Sequence, residues 1–302
     1  MSQPAITHTI ADLGNEMLLA RTSAASQLNA QIGSKKQLTV GYVATMGALH
    51  EGHATLIRRA REQNDVVVLS IFVNPLQFGP NEDFDLYPRT LEADAALAAE
   101  AGVDVIFAPT VEEMYPGGQP RITVSSGELG HLLEGRTRPG HFDGSLTVVN
   151  KFFNILKPLT EGAILNAYFG QKDAQQLALM QRMVTDFNHD VVIKPVPIVR
   201  ADDGLALSSR NQYLTPEDRE AALVLSRTLA HLREKYITGV LTDTAVDEAR
   251  EAINSTPGVR LDYLEVIDPA TFQAPVDDQG RVLALVAAYV GNTRLIDNMD
   301  IN

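Results

Sequence analysis

Among its 302 residues the chain has no cysteine, which removes disulfides, thiolate metal ligands and thiol nucleophiles together and leaves the fold to packing. A reducing compartment suits such a chain. Long apolar runs are missing too: Val66 to Val73 and Val282 to Val290 fall far short of the roughly 20 residues a bilayer-crossing helix needs. They read as buried strands. Bases are in deficit, 25 against 38 acids, so the formal charge of −13 works against broad nucleic-acid binding. Met1 to Gly14 shows no basic stretch followed by an apolar core, so no secretory signal is expected and the cytoplasm is the expected location. Neither internal repeats nor low-complexity tracts are visible.

What is present is ordinary for a folded protein: 45% apolar residues, and a length that at roughly 150 per domain points to two compact units. From Leu38 to Phe72 the pattern reads apolar strand, glycine-bearing turn, amphipathic helix (about His53 to Gln63) and apolar strand, one βαβ unit. A loop rich in Asn, Pro and Asp (Asn74 to Pro88) leads to a helix over Thr90 to Ala101 and a strand over Val103 to Ala108. A helix at Leu146 to Leu156, a strand at Ala167 to Phe169, a helix at Asp173 to Asn188 and a strand at Val191 to Val196 continue the alternation. The fold class this predicts is α/β, a Rossmann-like doubly wound parallel sheet over residues 1–199 that binds its ligands at the carboxyl ends of the strands. After Arg200 the texture changes to two helices (Pro216 to Tyr236, Thr244 to Asn254) and two strands (Leu261 to Ile267, Val282 to Val290), which predicts a second, smaller α+β domain over 200–302.

The first strand-to-helix turn reads Thr45-Met46-Gly47-Ala48-Leu49-His50-Glu51-Gly52-His53. Unpaired amides and the positive end of the helix dipole make such a turn an anion site, and its imidazoles can add donors for phosphate oxygens. Gly52 is read as the place where phosphate approaches the backbone. Two other readings stay open: a zinc site, although only two residues separate the histidines, and simple helix capping by polar side chains. Further along, Lys172 follows a strand and Gly170 at a point where an ammonium can meet phosphate; the alternative is a surface lysine. Asp173 either caps the following helix or meets the nucleotide hydroxyls. Ser208-Ser209-Arg210, at the junction of the two domains, is either a grip for departing pyrophosphate or a polar linker.

These segments also carry a resemblance. His50-x-Gly52-His53 after the first strand looks like the adenylyl-transferring nucleotidylyltransferase superfamily. The ordered series Thr45 to His53, Phe72-Val73-Asn74-Pro75-Leu76-Gln77-Phe78, Tyr87-Pro88-Arg89-Thr90, Arg138-Pro139-Gly140-His141-Phe142-Asp143-Gly144, Gly170-Gln171-Lys172-Asp173-Ala174-Gln175-Gln176 and Ser208-Ser209-Arg210-Asn211 resembles the pantothenate synthetase family across nearly the whole chain. The resemblance implies condensation of pantoate with β-alanine at the expense of ATP, giving AMP and pyrophosphate through a pantoyl-adenylate.

It further implies catalytic roles for His50, His53, Lys172 and Arg210, and ATP contacts from these together with Met46, Gly170, Asp173, Val199, Leu207, Ser208 and Ser209. Gln77 and Gln176 match pantoate-binding positions; Met46 and Phe72 are either an apolar wall for pantoate or core residues, and Arg138 either steers the anion or is a solvated loop arginine. Mg²⁺ is the implied companion of ATP, with Asp94 a weak candidate ligand. A homodimer is implied, and the C-terminal domain is expected to act as a lid. No protein nucleophile is needed, in keeping with the missing cysteine.

The family pattern is broken at Ala44, where proline is usual, and Leu159 to Asn166 reads as an insertion that puts the loop geometry behind Lys172 in question. The rival functions are adenylylation of a phosphate-bearing acceptor, against which the neutral Gln77 and Gln176 argue, and a nucleotide-binding regulator without turnover.

Overall fold

The computed structural model describes residues 3–32, 37–79, 84–275 and 280–302. In chain order the elements are β1 (Ala5–Thr7), α1 (Ile10–Ile32), β2 (Thr39–Thr45), α2 (Glu51–Gln63), β3 (Val66–Ile71), α3 (Leu91–Ala101), β4 (Val105–Phe107), α4 (Val111–Met114), α5 (Leu133–Thr137), α6 (His141–Leu159), β5 (Ile164–Gly170), α7 (Ala174–Asp186), β6 (Val192–Val196), α8 (Pro216–Ile237), α9 (Asp243–Asn254), β7 (Val259–Ile267), β8 (Leu283–Val290) and β9 (Thr293–Asp300). Part of the expected Asn74 to Pro88 loop, 80–83, lies outside the described residues. No helix among the described residues is long and apolar enough to cross a membrane. Two compact units result: Met1–Gly170 with Leu179–Val196, and Gln171–Ala178 with Pro197–Asn302. The second thus takes in Gln171–Ala178, a segment that a sequential division at residue 199 assigns to the first.

Within the first unit, a six-stranded sheet of order β1-β4-β3-β2-β5-β6 is parallel throughout. The chain starts the core of this sheet at β2, works outwards through β3 and β4, then returns to β2's other side with β5 and β6. The direction therefore reverses between β2 and β5, and sheets of this kind bind ligands in the crevice at the carboxyl ends of such a pair. Thr45 ends β2 and Gly170 ends β5.

Alternation along the strands sends successive side chains to opposite faces. Val43, Leu69 and Ile106 pack with Ala54, Ile57 and Ala60 of α2 and with Ala95 and Ala98 of α3 in one core cluster. Tyr42 takes the other face, its ring 5.8 Å from Phe152 and 6.5 Å from Phe153 of α6. Full burial pushes the Tyr42 hydroxyl pKa up, against the smaller opposite effect of its 2.8 Å hydrogen bond with Ser70.

Five elements appear where the sequence offers no pattern: β1, α1, α4, α5 and β9. In α1, Leu13 and Met17 are wholly buried while Leu18 and Leu19 are about two-thirds exposed (64% and 63%), so adjacent apolar residues blur the helical period. Leu159 to Asn166, expected as an insertion, forms the end of α6, a short turn and the start of β5.

Burial also lowers the pKa of His189, whose Nε2 is 2.9 Å from Asn150 Oδ1 and whose ring lies edge-on to Phe153. As pH falls, the unfolded chain takes up this proton before the folded one does. The stability it contributes is whole above the ordinary histidine value of about 6.5 and is lost as pH falls through the lower folded value. His189→Gln is expected to flatten the decline of the thermal midpoint between about pH 7 and pH 5 relative to wild type; an unchanged profile in melting scans removes His189 as its source.

The second unit is built on a three-stranded antiparallel sheet, β7-β8-β9, covered by α8 and α9. Leu223, Leu229, Leu232 and Ile253 from the helices meet Ala284, Val286 and Ala288 from β8. Thr215 caps α8 with Pro216 in its first turn, and Asp218 closes a reciprocal capping box.

Candidate active site

In the first unit, α2 begins directly behind β2, and His50 is its N-cap. The His50 Nδ1 accepts from Gly52 N at 3.0 Å, and the His53 Nδ1 accepts from His50 N at 3.3 Å, so two histidines form a capping box usually made by hydroxyl and carboxyl groups. Because Nδ1 accepts in both rings, each neutral imidazole carries its proton on Nε2. The rings lie 4.1 Å apart between centroids and 39° from parallel. Capping and anion binding, alternatives in the sequence, are thus compatible: one nitrogen of each ring builds the helix end, and the other is a donor by tautomer.

Gly52 has a reason different from the one expected. A Cβ there would stand 2.8 Å from Cε1 of His50, so what approaches this backbone closely is the imidazole itself.

The turn ahead of His50 is held from below. Asp94, 3% exposed, accepts Ala48 N at 3.1 Å through Oδ2, and Leu49 N at 2.8 Å and Thr90 Oγ1 at 3.3 Å through Oδ1. Ala48 has φ of 50°, a left-handed conformation costly for alanine, and the buried carboxylate holds it there. The role that geometry gives Asp94, the weak candidate for metal, is to shape the turn. Glu51, between the histidines, makes paired bonds of 2.7 and 3.0 Å with Arg58, and this hydrogen bonding is the main reason its pKa is lowered.

Also in the first unit, a 3-10 turn at Pro75–Gln77 rests on α6. Asn74, 1% exposed, uses its whole amide: Nδ2 donates to Gln77 Oε1 (3.0 Å) and Gly144 O (3.1 Å), while Oδ1 accepts from Tyr115 OH (2.8 Å) and Leu76 N (3.3 Å). Asn74 therefore fixes the carbonyl end of the Gln77 amide. His141 Nδ1 donates to Gln77 O at 2.9 Å, which leaves its Nε2 to accept from Arg138 Nη1 at 3.0 Å. Arg138 Nη2 also reaches Gln77 O directly at 3.4 Å, so Gln77, Arg138 and His141 form one cluster. Met46 is half-buried, whereas Phe72 is 4% exposed with Tyr115 and Phe152 against its ring, a core position.

In the second unit, Lys172 and Asp173 follow Gly170, the last residue of β5, and lead into α7. The Lys172 side chain is 19% exposed, and its Nζ lies 3.9 Å from Asp173 Oδ1. At that distance, beside a half-exposed carboxylate, the attraction is weak. Gln176 is half-buried next to the buried Gln175. Val199 and Leu207 face each other across a short hairpin, Leu207 N donating to Val199 O at 2.9 Å. Ser208 then caps a 3-10 turn, Ser209–Tyr213, by accepting Arg210 N at 3.3 Å. Asn211, left without a role by the sequence, closes this turn: its Nδ2 donates to Ala206 O and its N to Ser208 O, both at 3.0 Å.

The family model for pantoate–β-alanine ligase matches residues 18–300. The chain belongs to that family. Among its relatives, the pantothenate synthetase of Paenarthrobacter aurescens is 54% identical over 85% of this chain and 90% of its own, and that of Nocardioides sp. is 50% identical over 99% and 85%. A crystal structure of pantothenate synthetase from Thermus thermophilus superposes with a TM-score of 0.83 at 44% identity, covering 98% of this chain and 99% of that one. The pantoate–β-alanine ligase of Francisella tularensis, complexed with β,γ-ATP and β-alanine, matches with a TM-score of 0.72 at 36% identity over 98% and 97%. Membership of the pantoate–β-alanine ligase family makes the chain an ATP-dependent carbon–nitrogen ligase, and the α/β architecture of the family is the one described above.

Proposed function

We propose that this enzyme condenses pantoate with β-alanine in two steps: pantoate attacks the α-phosphorus of ATP to give pantoyl-adenylate and pyrophosphate, and the free amine of β-alanine then displaces AMP. The observation that carries this reading is the pair of closely spaced, mutually tilted imidazoles at the amino end of α2, behind the strand at which the strand order reverses. A helix start at that crevice, with ring N–H donors, suits a polyphosphate.

His50 and His53 donate hydrogen bonds to the charge that shifts towards the leaving pyrophosphate, and Lys172 and Arg210 supply cations along the phosphates. Met46, Gly170, Asp173, Val199, Leu207, Ser208 and Ser209 complete the nucleotide contacts carried over from the family. Gln77, its carbonyl fixed by Asn74, and Gln176 recognise pantoate hydroxyls and carboxylate, and Arg138 attracts the anion. Catalysis on this reading is positioning and electrostatics, without a covalent enzyme intermediate.

Mg²⁺ enters as the companion of the triphosphate. Both oxygens of Asp94 serve the turn, and among the described residues no cluster of three or more His, Asp or Glu groups is placed to hold a metal. An ion that keeps most of its waters and binds chiefly to phosphate fits that donor set. The homodimer belongs to the same carry-over, and the cytoplasmic location to the cysteine-free composition.

The test is exchange of labelled pyrophosphate into ATP with β-alanine omitted. Pantoate-dependent exchange is the expected result. Exchange that instead requires a phosphate-bearing acceptor supports nucleotidylyl transfer, and none with any acid supports a regulator without turnover.

A further inference from the structure

Two adjacent polar residues of β9, Asp297 and Asn298, are each only 4% exposed. Asn298 spends both hydrogens of its amide on one segment, Nδ2 donating to Gln171 O and to Lys172 O, each at 2.9 Å. Asp297 makes a paired bond with Arg200, Oδ2 to Nη1 at 2.6 Å and Oδ1 to Nη2 at 2.8 Å. Arg200 also donates to Gly204 O at 3.0 Å and to Asn298 O at 3.3 Å, so it braces the hairpin in which Arg200 pairs with Ala206. Asp297 Oδ1 also accepts the backbone N–H of Asn298 at 2.8 Å, which fixes the carboxylate against its own strand. One strand pair of a rigid sheet, Asp297 opposite Val286 and Asn298 opposite Leu285, thereby holds both the turn bearing Lys172 and the hairpin that delivers Ser208.

We infer that Asn298 and Asp297 are positioning residues that set the Lys172 ammonium and the Ser208–Arg210 turn in a common frame. Neither side chain needs to meet substrate; each acts through the backbone or guanidinium it holds. Without the Asn298 amide, two carbonyls lose their donor and the Lys172 turn is released from the sheet. The inference rests on the phosphate-binding reading of Lys172 and Arg210, and a displacement of about 1 Å at such groups is worth roughly a hundredfold in rate.

The test uses Asn298→Asp, which keeps the shape and removes both donors, and Asn298→Ala, which removes them without adding charge. In pantoate-dependent pyrophosphate exchange, each is expected to lower kcat by roughly 30- to 100-fold while the pantoate KM stays within about threefold. Placed in a Lys172→Met background, the same substitutions are expected to cost less than about threefold, because residues acting as a unit are not additive. Full exchange by either folded variant overturns the inference. So does an undiminished loss in the Lys172→Met background, which marks general damage, and so does failure of both variants to fold, which makes Asn298 a folding residue. Loss of pantoate-dependent exchange in the wild-type enzyme defeats the functional reading itself, and is separable from these results.

Discussion

His50→Asn is expected to keep the wild-type thermal midpoint and to lose at least about a hundredfold in turnover, the size of effect seen when a transition-state donor is removed. The imidazole does two things here, and asparagine can do only one of them. As N-cap, His50 accepts Gly52 N through Nδ1, and an asparagine carbonyl can take over that bond. The donor on Nε2, which the tautomer places on the far side of the ring, has no counterpart in the shorter side chain. His50→Ala removes both and is expected to lose about 1 kcal/mol of stability as well as the turnover. Lys172→Met, which keeps the aliphatic stem and removes the ammonium, is expected to show the same hundredfold loss without a change in midpoint. Steady-state kinetics beside melting scans separate the effects. Near-normal turnover in His50→Asn reduces the histidine pair to a helix cap.

Gly144→Ala is expected to lower stability more than any of the substitutions at His50, Lys172 or His189. A Cβ on Gly144 would lie 1.9 Å from Leu76 O and 2.9 Å from Gln77 N, backbone atoms that cannot swing aside. Either α6 or the turn at Pro75–Gln77 has to move. Overpacking of this kind costs about 3 kcal/mol, and for a unit of this size each kcal/mol lowers the midpoint by roughly 2–4 °C. Asn74 bonds the Gly144 carbonyl and Gln77 Oε1 with the same amide, so the strain reaches the residue proposed to recognise pantoate. A rise in pantoate KM should accompany the lower midpoint, with the ATP KM less affected. A variant that melts like wild type and binds pantoate normally shows that α6 and the turn can part without consequence.

The sequence conveyed the parallel sheet because buried strands joined by amphipathic helices leave a strong periodic trace, as at Val66–Ile71 and Glu51–Gln63. It offered candidates for the site at Thr45 to His53, Gln77, Lys172 and Ser208 to Arg210, because these residues sit in short segments whose order along the chain is itself a signature. The supports of those residues left no such trace. Asn74, Asp94 and His141 act on backbone atoms or side chains brought to them by folding, and a buried carboxylate bonded to two turn amides looks, in one dimension, like any surface aspartate.

Strand β9 shows where local pattern fails outright. Its run Thr-Arg-Leu-Ile-Asp-Asn-Met-Asp is too polar to read as half-buried, yet Asp297 and Asn298 are among its most buried residues. They turn inwards because their partners are charged or polar: the Arg200 guanidinium and the carbonyls of Gln171 and Lys172, about 97 and 127 positions away along the chain.

By itself, then, the sequence determined which groups bear charge, which segments bury apolar faces, and in what order loops and strands follow one another. Only the tertiary structure decided that both histidines bond through Nδ1, that Asp94 shapes a turn, and that a polar strand near the C-terminus anchors Lys172. Helices and strands follow from contacts a few residues apart, which local pattern records. A hydrogen bond between distant segments depends on where the whole chain has brought them.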